Sequence, residues 1–250
     1  MSLHLNTYSP TLRNFGTSSK NAVAIIPARG GSKRIPRKNV KIFAGIPMIA
    51  HSIHAAQKSG VFDRIVVSTD DDEIAEVAQS YGAEVPFRRP TELANDYATT
   101  DEVFLHAIKW LESDQGFVDC ACCIYATAPF VRPRYLKEGL AILRDREATS
   151  AFTVTSFSYP IFRALRINKQ GRVEMFWPEH RLTRSQDLPE AYHDAGQFYW
   201  ADVGKYKITG RIFCSDAVPI ILPRWLVQDI DTPEDWEQAE LMFPALTNLK

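Results

Sequence analysis

Residues 22–41 read AVAIIPARGGSKRIPRKNVK, and the fold is decided there. Ala22 to Ile26 form an unbroken apolar run that stops at Pro27. A run this short, closed by a breaker, is the pattern of a strand covered on both faces of a sheet. Beyond it lie Gly30, Gly31 and Ser32 among Arg29, Lys33, Arg34, Arg37, Lys38 and Lys41, with no acid between them. Glycines let backbone N–H groups approach an anion, and lysines and arginines neutralise it. The loop is therefore a candidate triphosphate site. Neither GxxxxGK[ST] nor GxGxxG is present, and a charge run that simply faces water is the competing explanation.

Outward from this stretch, short apolar runs alternate with helical patterns. Strands are expected at 64–68, 84–87, 119–125, 150–155 and 217–221, and helices at 47–59, 71–81, 100–113, 133–146 and 232–243. Asp70 or Asp71 can cap the second helix, Thr99 or Thr100 the third, and Thr232-Pro233 with Glu234 and Asp235 starts the last. This order predicts one α/β domain over 21–250, a doubly wound, mostly parallel sheet with helices on both faces, after a flexible polar lead-in over 1–20. Ligands on such sheets sit outside the carboxyl ends of the strands, where the basic loop falls. Residues 156–200, rich in aromatics, prolines and charges, break the rhythm and read as an insertion. Within it Asn168-Lys169-Gln170-Gly171 is expected to turn a hairpin between 162–168 and 172–176.

The chain has 250 residues, 45% hydrophobic and 24% charged, with a net charge of −1. That balance gives no global attraction to nucleic acid or to an anionic membrane, and local basic character suits a small anionic ligand. No apolar run approaches the ~18–20 residues of a membrane span. The first twenty residues lack a secretion-signal pattern. Three of the four cysteines, Cys120, Cys122 and Cys123, fall in the strand-like DCACCIYA; the fourth is Cys214. No second Cys/His pair completes a metal site, so buried reduced thiols and a cytoplasmic location are expected.

Asp229-Ile230-Asp231 is the second informative group. Alternation along an extended segment puts both carboxylates on one side, where they repel unless a cation lies between them. Mg²⁺ takes one or two carboxylates together with phosphate oxygens. A surface acid beside a helix N-cap explains the same residues, and DxD also occurs in glycosyltransferases.

The string from Ile26 to Asn39, IPARGGSKRIPRKN, resembles the signature of the CMP-nonulosonic acid synthetases, the acylneuraminate cytidylyltransferases, and the likeness extends over roughly residues 21–243. It implies a Rossmann-like, GT-A-like nucleotidyltransferase fold and attack of a sugar hydroxyl on the α-phosphate of CTP, with pyrophosphate released. On the matching positions, Ala28, Arg29, Gly30, Ser32, Lys33 and Asn39 would bind nucleotide. Arg89 and Asn95, in an RPTELAND segment like the family's RPxELAxD, would join them. Arg29, Lys38, Asp229 and Asp231 would carry catalysis, with Asp229 and Asp231 holding Mg²⁺. Where sialic acid synthetases commonly read LQPTSP, this chain reads IYATAPF, with Tyr125 in place of their glutamine. That form, and FYWAD at 198–202, resemble the pseudaminic acid branch. Tyr125 and Thr127, with Arg184, Gln186, His193, Asp194, Gln197 and Tyr199 from TRSQDLPEAYHDAGQFYW, would then meet the sugar. Arg184 suits the sugar carboxylate. The insertion would serve the sugar pocket and a homodimer contact. N-acetylneuraminate, legionaminate and 3-deoxy-manno-octulosonate remain alternative sugars, and a nucleotide-sugar glycosyltransferase or a non-catalytic binding module are alternatives of other classes.

Overall fold

A computed structural model describes residues 21–247; the lead-in expected over 1–20 lies outside the described residues. Ten strands and six helices follow in order: β1 (Ala22–Pro27), β2 (Ile42–Phe43), β3 (Ile46–Pro47), α1 (Met48–Ser59), β4 (Arg64–Ser68), α2 (Asp72–Ser80), α3 (Thr100–Gln115), β5 (Cys120–Ile124), α4 (Pro133–Asp145), β6 (Ser150–Ser156), β7 (Leu165–Ile167), β8 (Val173–Met175), β9 (Tyr192–Asp202), α5 (Val203–Thr209), β10 (Val218–Ile221) and α6 (Pro233–Thr247). Six strands form one sheet in the order β4-β1-β5-β9-β6-β10. β1 is parallel to β4 and β5, and β10 to β6, whereas β9 runs antiparallel between β5 and β6.

Side-chain alternation along β1 divides the interior. Ala22, Ala24 and Ile26 face α1, α2 and α4, meeting Ile49, Ile53, Ile74, Leu136 and Leu140. Val23 and Ile25 face α3 and α5, meeting Phe104, Ile108, Leu111, Val203 and Tyr206. Both faces of β1 are therefore dry, as its unbroken apolar run requires. A third cluster joins Ile35 of the basic loop, Phe43, Phe130, Ile230 and Trp236. It fastens the basic loop and the segment carrying Asp229 and Asp231 to one apolar knot.

Helix starts follow their expected chemistry. Asp71 accepts the Ile74 N–H, and Thr99 with Glu102 forms a capping box. Thr232 Oγ1 accepts the Asp235 N–H at 3.2 Å, and Asp235 accepts the Thr232 N–H at 2.7 Å. Thr232 thus caps α6 and leaves the Asp231 carboxylate for other work. Asn168 Oδ1 accepts the Gln170 and Arg172 N–H groups at the expected hairpin turn between β7 and β8.

Two expectations change and one helix is added. Residues 84–87 form no strand: Glu84 makes one isolated bridge with Val66, and Arg88 just beyond makes another with Thr69, because Pro86 cannot donate to a ladder. The insertion expected over 156–200 turns back into the sheet at Tyr192, so the sugar-side stretch is a central strand. α5 then follows β9 directly, with Asp202 accepting the Lys205 N–H as its cap. Cys120, Cys122 and Cys123 are buried, free thiols; burial pushes Cys120 up to about 12 and Cys123 higher.

Candidate active site

β1, β4, β5, β6 and β10 all end on one edge of the sheet, and antiparallel β9 begins there. Most of the expected site residues gather along this edge; Arg89, Arg184 and Gln186 do not. Ala28 leaves β1 with its N–H on the Ser68 carbonyl, 2.9 Å away, which sets where the basic loop departs. The loop is then braced from α2. Arg37 reaches Asp71 through both terminal nitrogens at 2.6 and 2.8 Å and also pairs with Glu73. The paired guanidinium holds the Asp71 carboxyl down at about 2, and Arg37 is held above its ordinary value by the same contact. Gly30 donates to Asp70 at 3.1 Å, and a Cβ there would lie 2.7 Å from Asp71 Oδ2, so only glycine fits against the brace. Asn39 is buried and donates to the Arg29 carbonyl at 2.9 Å, which makes it a shaper of the loop.

Arg29, Lys33 and Lys38, the loop cations expected to meet nucleotide or its phosphates, each face an acid, and so does Arg34. Arg29 pairs with Asp96 at 2.7 Å and donates to the Asn95 carbonyl at 2.8 Å; Lys33 pairs with the other oxygen of Asp96. Arg34 pairs with Asp231 Oδ2 at 2.8 Å, and Lys38 with Asp231 Oδ1 at 3.4 Å. Lys38 also donates to the Ile230 carbonyl at 2.7 Å. The loop and the Asp-Ile-Asp segment are thereby in direct contact across almost the whole length of the chain.

Ile230 is buried in the apolar knot, and the acids on either side of it project away. Desolvation and then the Asp231 charge push the Asp229 carboxyl above its ordinary value, while Lys38 pulls it back. Among the described residues no cluster of three or more His, Cys, Asp or Glu side chains forms a complete metal cage. Two carboxylates two residues apart beside a basic loop could still hold a hard cation such as Mg²⁺, which takes one or two carboxylates together with phosphate oxygens and water.

Arg89 lies beneath the edge rather than on it. It is 6% exposed and donates to both oxygens of Ser68, the Oγ at 3.1 Å, and burial pushes it down to about 10. Asn95 spends its side chain on its own loop, accepting from Tyr97 and Ala98 and donating to Glu92. Asp96, which the sequence showed only as the last residue of RPTELAND, is the side chain that holds Arg29 and Lys33.

On the sugar side, the Tyr125 N–H donates to the Gln197 carbonyl at 2.9 Å, and Gln197 Nε2 donates to the Leu226 carbonyl at 2.6 Å. Tyr125 and Tyr199 pack with ring centres 5.2 Å apart. Thr127 follows in the turn after β5. His193 is exposed, with its ring 4.9 Å from Phe157. Arg184 and Gln186 lie apart from these residues in the insertion. Arg184 is paired with Asp187 at 2.7 Å, and Gln186 lines a cleft of about 880 Å³ with Ser156, Phe157, Arg224 and Trp225. The cleft opens beside the ends of β6 and β10, and its lining includes no residue of the basic loop.

A basic loop and a pair of carboxylates thus meet along one sheet edge. The chain belongs to the cytidylyltransferase family, whose model matches residues 23–239. It is 46% identical over 221 residues to the pseudaminic acid cytidylyltransferase of Campylobacter jejuni subsp. jejuni, covering 88% of this chain and 95% of that protein. It is 31% identical over 236 residues to the CMP-N,N'-diacetyllegionaminic acid synthase of Legionella pneumophila, covering 88% and 95%. Among solved structures, a CMP:2-keto-3-deoxy-manno-octonic acid synthetase complexed with CTP shares the fold with a TM-score of 0.64 at 18% identity, over 90% of this chain and 98% of that one.

Proposed function

We propose that the chain transfers CMP from CTP to the anomeric hydroxyl of a nonulosonic acid, with pseudaminic acid as the substrate and pyrophosphate as the second product. The observation that carries this reading is the contact of Arg34 and Lys38 with Asp231, which joins a phosphate-neutralising loop to a pair of metal-competent carboxylates. The pseudaminic acid cytidylyltransferase relative, similar over nearly its whole length, supports the sugar assignment.

Phosphoryl transfer asks for alignment and charge neutralisation more than for a covalent nucleophile. Arg29 and Lys33 hold the triphosphate, which replaces Asp96 on them. Lys38, kept in place by the Ile230 carbonyl, faces the charge that grows on the α-phosphate. Asn39 and Gly30 fix the path of the loop. Asp229 and Asp231 would hold the divalent cation. A cation bound there neutralises phosphate charge and raises the acidity of the attacking hydroxyl. Thr127 lies at the surface the acid sugar meets, which Tyr125 and the buried Gln197 and Tyr199 support from beneath, and Arg184 pairs with the sugar carboxylate once it leaves Asp187.

The insertion between β6 and β9 exposes Tyr159, Leu165, Ile167, Val173 and Leu182, apolar surface that suits burial against a second copy of the chain. The decisive experiment is pyrophosphate release from CTP and Mg²⁺ with pseudaminic acid or N-acetylneuraminic acid. Turnover with pseudaminic acid alone is expected. Turnover only with N-acetylneuraminic acid overturns the sugar, and none with any acid sugar overturns the transfer. Light scattering of the wild type and of Leu182→Glu reads the dimer; a wild-type monomer overturns that part.

A further inference from the structure

Asp194 belongs to the sheet, yet it is not in regular register with it. Between the pairs Phe152–Tyr199 and Val154–Asp194, two residue steps on β6 face five on β9. The surplus is a bulge, and Gly196 within it has φ +61°, a conformation that favours glycine. Bulges re-aim side chains, and this one turns the Asp194 carboxylate back over the strand. Its Oδ1 accepts the Gly196 N–H at 2.9 Å, and its Oδ2 accepts the Tyr199 hydroxyl at 2.6 Å.

The contact continues inward. Tyr199 is 3% exposed and lies against Tyr125, whose hydroxyl is 2.9 Å from Thr100 Oγ1 in the first turn of α3. Thr100 follows the loop that carries Asn95 and Asp96. A line of four side chains therefore runs from the nucleotide side of the edge to the sugar side. Burial pushes both tyrosine hydroxyls up, so they stay protonated, and Tyr199 donates to Asp194. The Asp194 carboxylate, by contrast, is open to solvent and keeps unused lone pairs.

An ionised carboxylate only accepts hydrogen bonds and repels another carboxylate. The group it meets on an acid sugar is therefore a donor, an amide N–H or a hydroxyl, at the end of the molecule away from the sugar's own carboxylate. We propose that Asp194 is a specificity-determining residue that reads such a donor, and that Tyr199, Tyr125 and Thr100 are positioning residues that hold its carboxylate in place. The inference rests on the CMP-transfer reading above and adds to it a residue that selects the sugar.

The test is Asp194→Asn and Tyr199→Phe, with KM measured separately for pseudaminic acid and for CTP. Asp194→Asn is expected to raise the sugar KM about 10- to 100-fold, and Tyr199→Phe about 3- to 10-fold, from loss of a charge-assisted contact and of its support. The CTP KM stays within about twofold in both, since uniform binding is lost on one substrate only. Equal rises in both KM values, or none in a folded Asp194→Asn, overturn the proposal. Calorimetric binding of pseudaminic acid separates the two readings. Weaker binding to Asp194→Asn supports the proposal even where the wild type releases no pyrophosphate, a result that overturns transfer alone. Unchanged affinity, or no binding to the wild type, overturns the role of Asp194.

Discussion

The two sides of the sheet edge are built by opposite means. On the nucleotide side, cations within reach of solvent, Lys38 the most covered of them, face acids brought from distant segments: Arg29 and Lys33 with Asp96, Arg34 and Lys38 with Asp231. On the sugar side, Thr100, Tyr125 and Tyr199 form a largely buried line of neutral groups that ends on one carboxylate. Exposed ion pairs gain little over water and exchange partners readily, whereas buried hydrogen bonds are costly to break. A triphosphate can therefore replace Asp96 on Arg29 and Lys33, and a metal can replace Arg34 and Lys38 on Asp231, while the second side keeps its shape and selects. One half is made to trade contacts and the other to hold them.

The strongest way to break this contrast is to remove an acid that has a task beyond neutralising the loop. Asp231→Ala is expected to lower pyrophosphate release by about 10²- to 10³-fold, the scale of losing a main electrostatic element of a transition state. Titrating Mg²⁺ into the variant checks it, since its response shifts to higher Mg²⁺, and a chelator stops the wild type. Full activity in Asp231→Ala would remove the metal assignment. Next in size is Arg29→Ala, expected to raise the CTP KM about 10- to 100-fold while leaving the sugar KM in place, as loss of a charge-assisted phosphate contact should. A matching rise in the sugar KM would mean that the two sides are not separate. The opposite sign is expected for Asp96→Asn. This variant frees Arg29 and Lys33 from their competitor, so the CTP KM should fall about two- to fivefold, the modest effect of an exposed pair. A rise instead would make Asp96 a support of the bound nucleotide.

The same contrast explains what could be read from the sequence. The basic loop was legible because its glycines and cations are consecutive, and Asp229-Ile230-Asp231 because alternation alone sends both acids away from buried Ile230. β1 was legible because both of its faces are covered. The partners of the loop were not legible. Asp96 lies more than sixty residues from Arg29 and Asp231 almost two hundred from Arg34, and no local pattern ties such pairs together. β9 was concealed by its bulge: His193, Asp194, Gly196 and Gln197 interrupt the apolar alternation that resumes at Phe198, so its first half reads as loop. The join of Tyr125 to Tyr199 needs β5 and β9 to be neighbours, which strand order in the chain does not reveal.

One ion pair of the basic loop belongs with the holding half. Arg37 has φ +54° and gives its guanidinium to Asp71 and Glu73, while Asp71 also caps α2. No ligand is needed to explain it; it holds the loop in shape for contacts that others make. The Asp71 carboxyl sits at about 2, below the ordinary 3.8, so its contribution to stability is complete above about pH 4 and is lost as pH falls toward 2. Asp71→Asn should remove this part of the pH dependence and cost on the order of 1 kcal/mol at neutral pH, allowing for solvent around Arg37. Urea unfolding of both proteins between pH 2 and 7 reads it, with the curves converging at the acid end. Curves that stay parallel throughout would show that Asp71 is not a brace but one more exchangeable partner, and the division between the two halves would then run inside the sugar side alone.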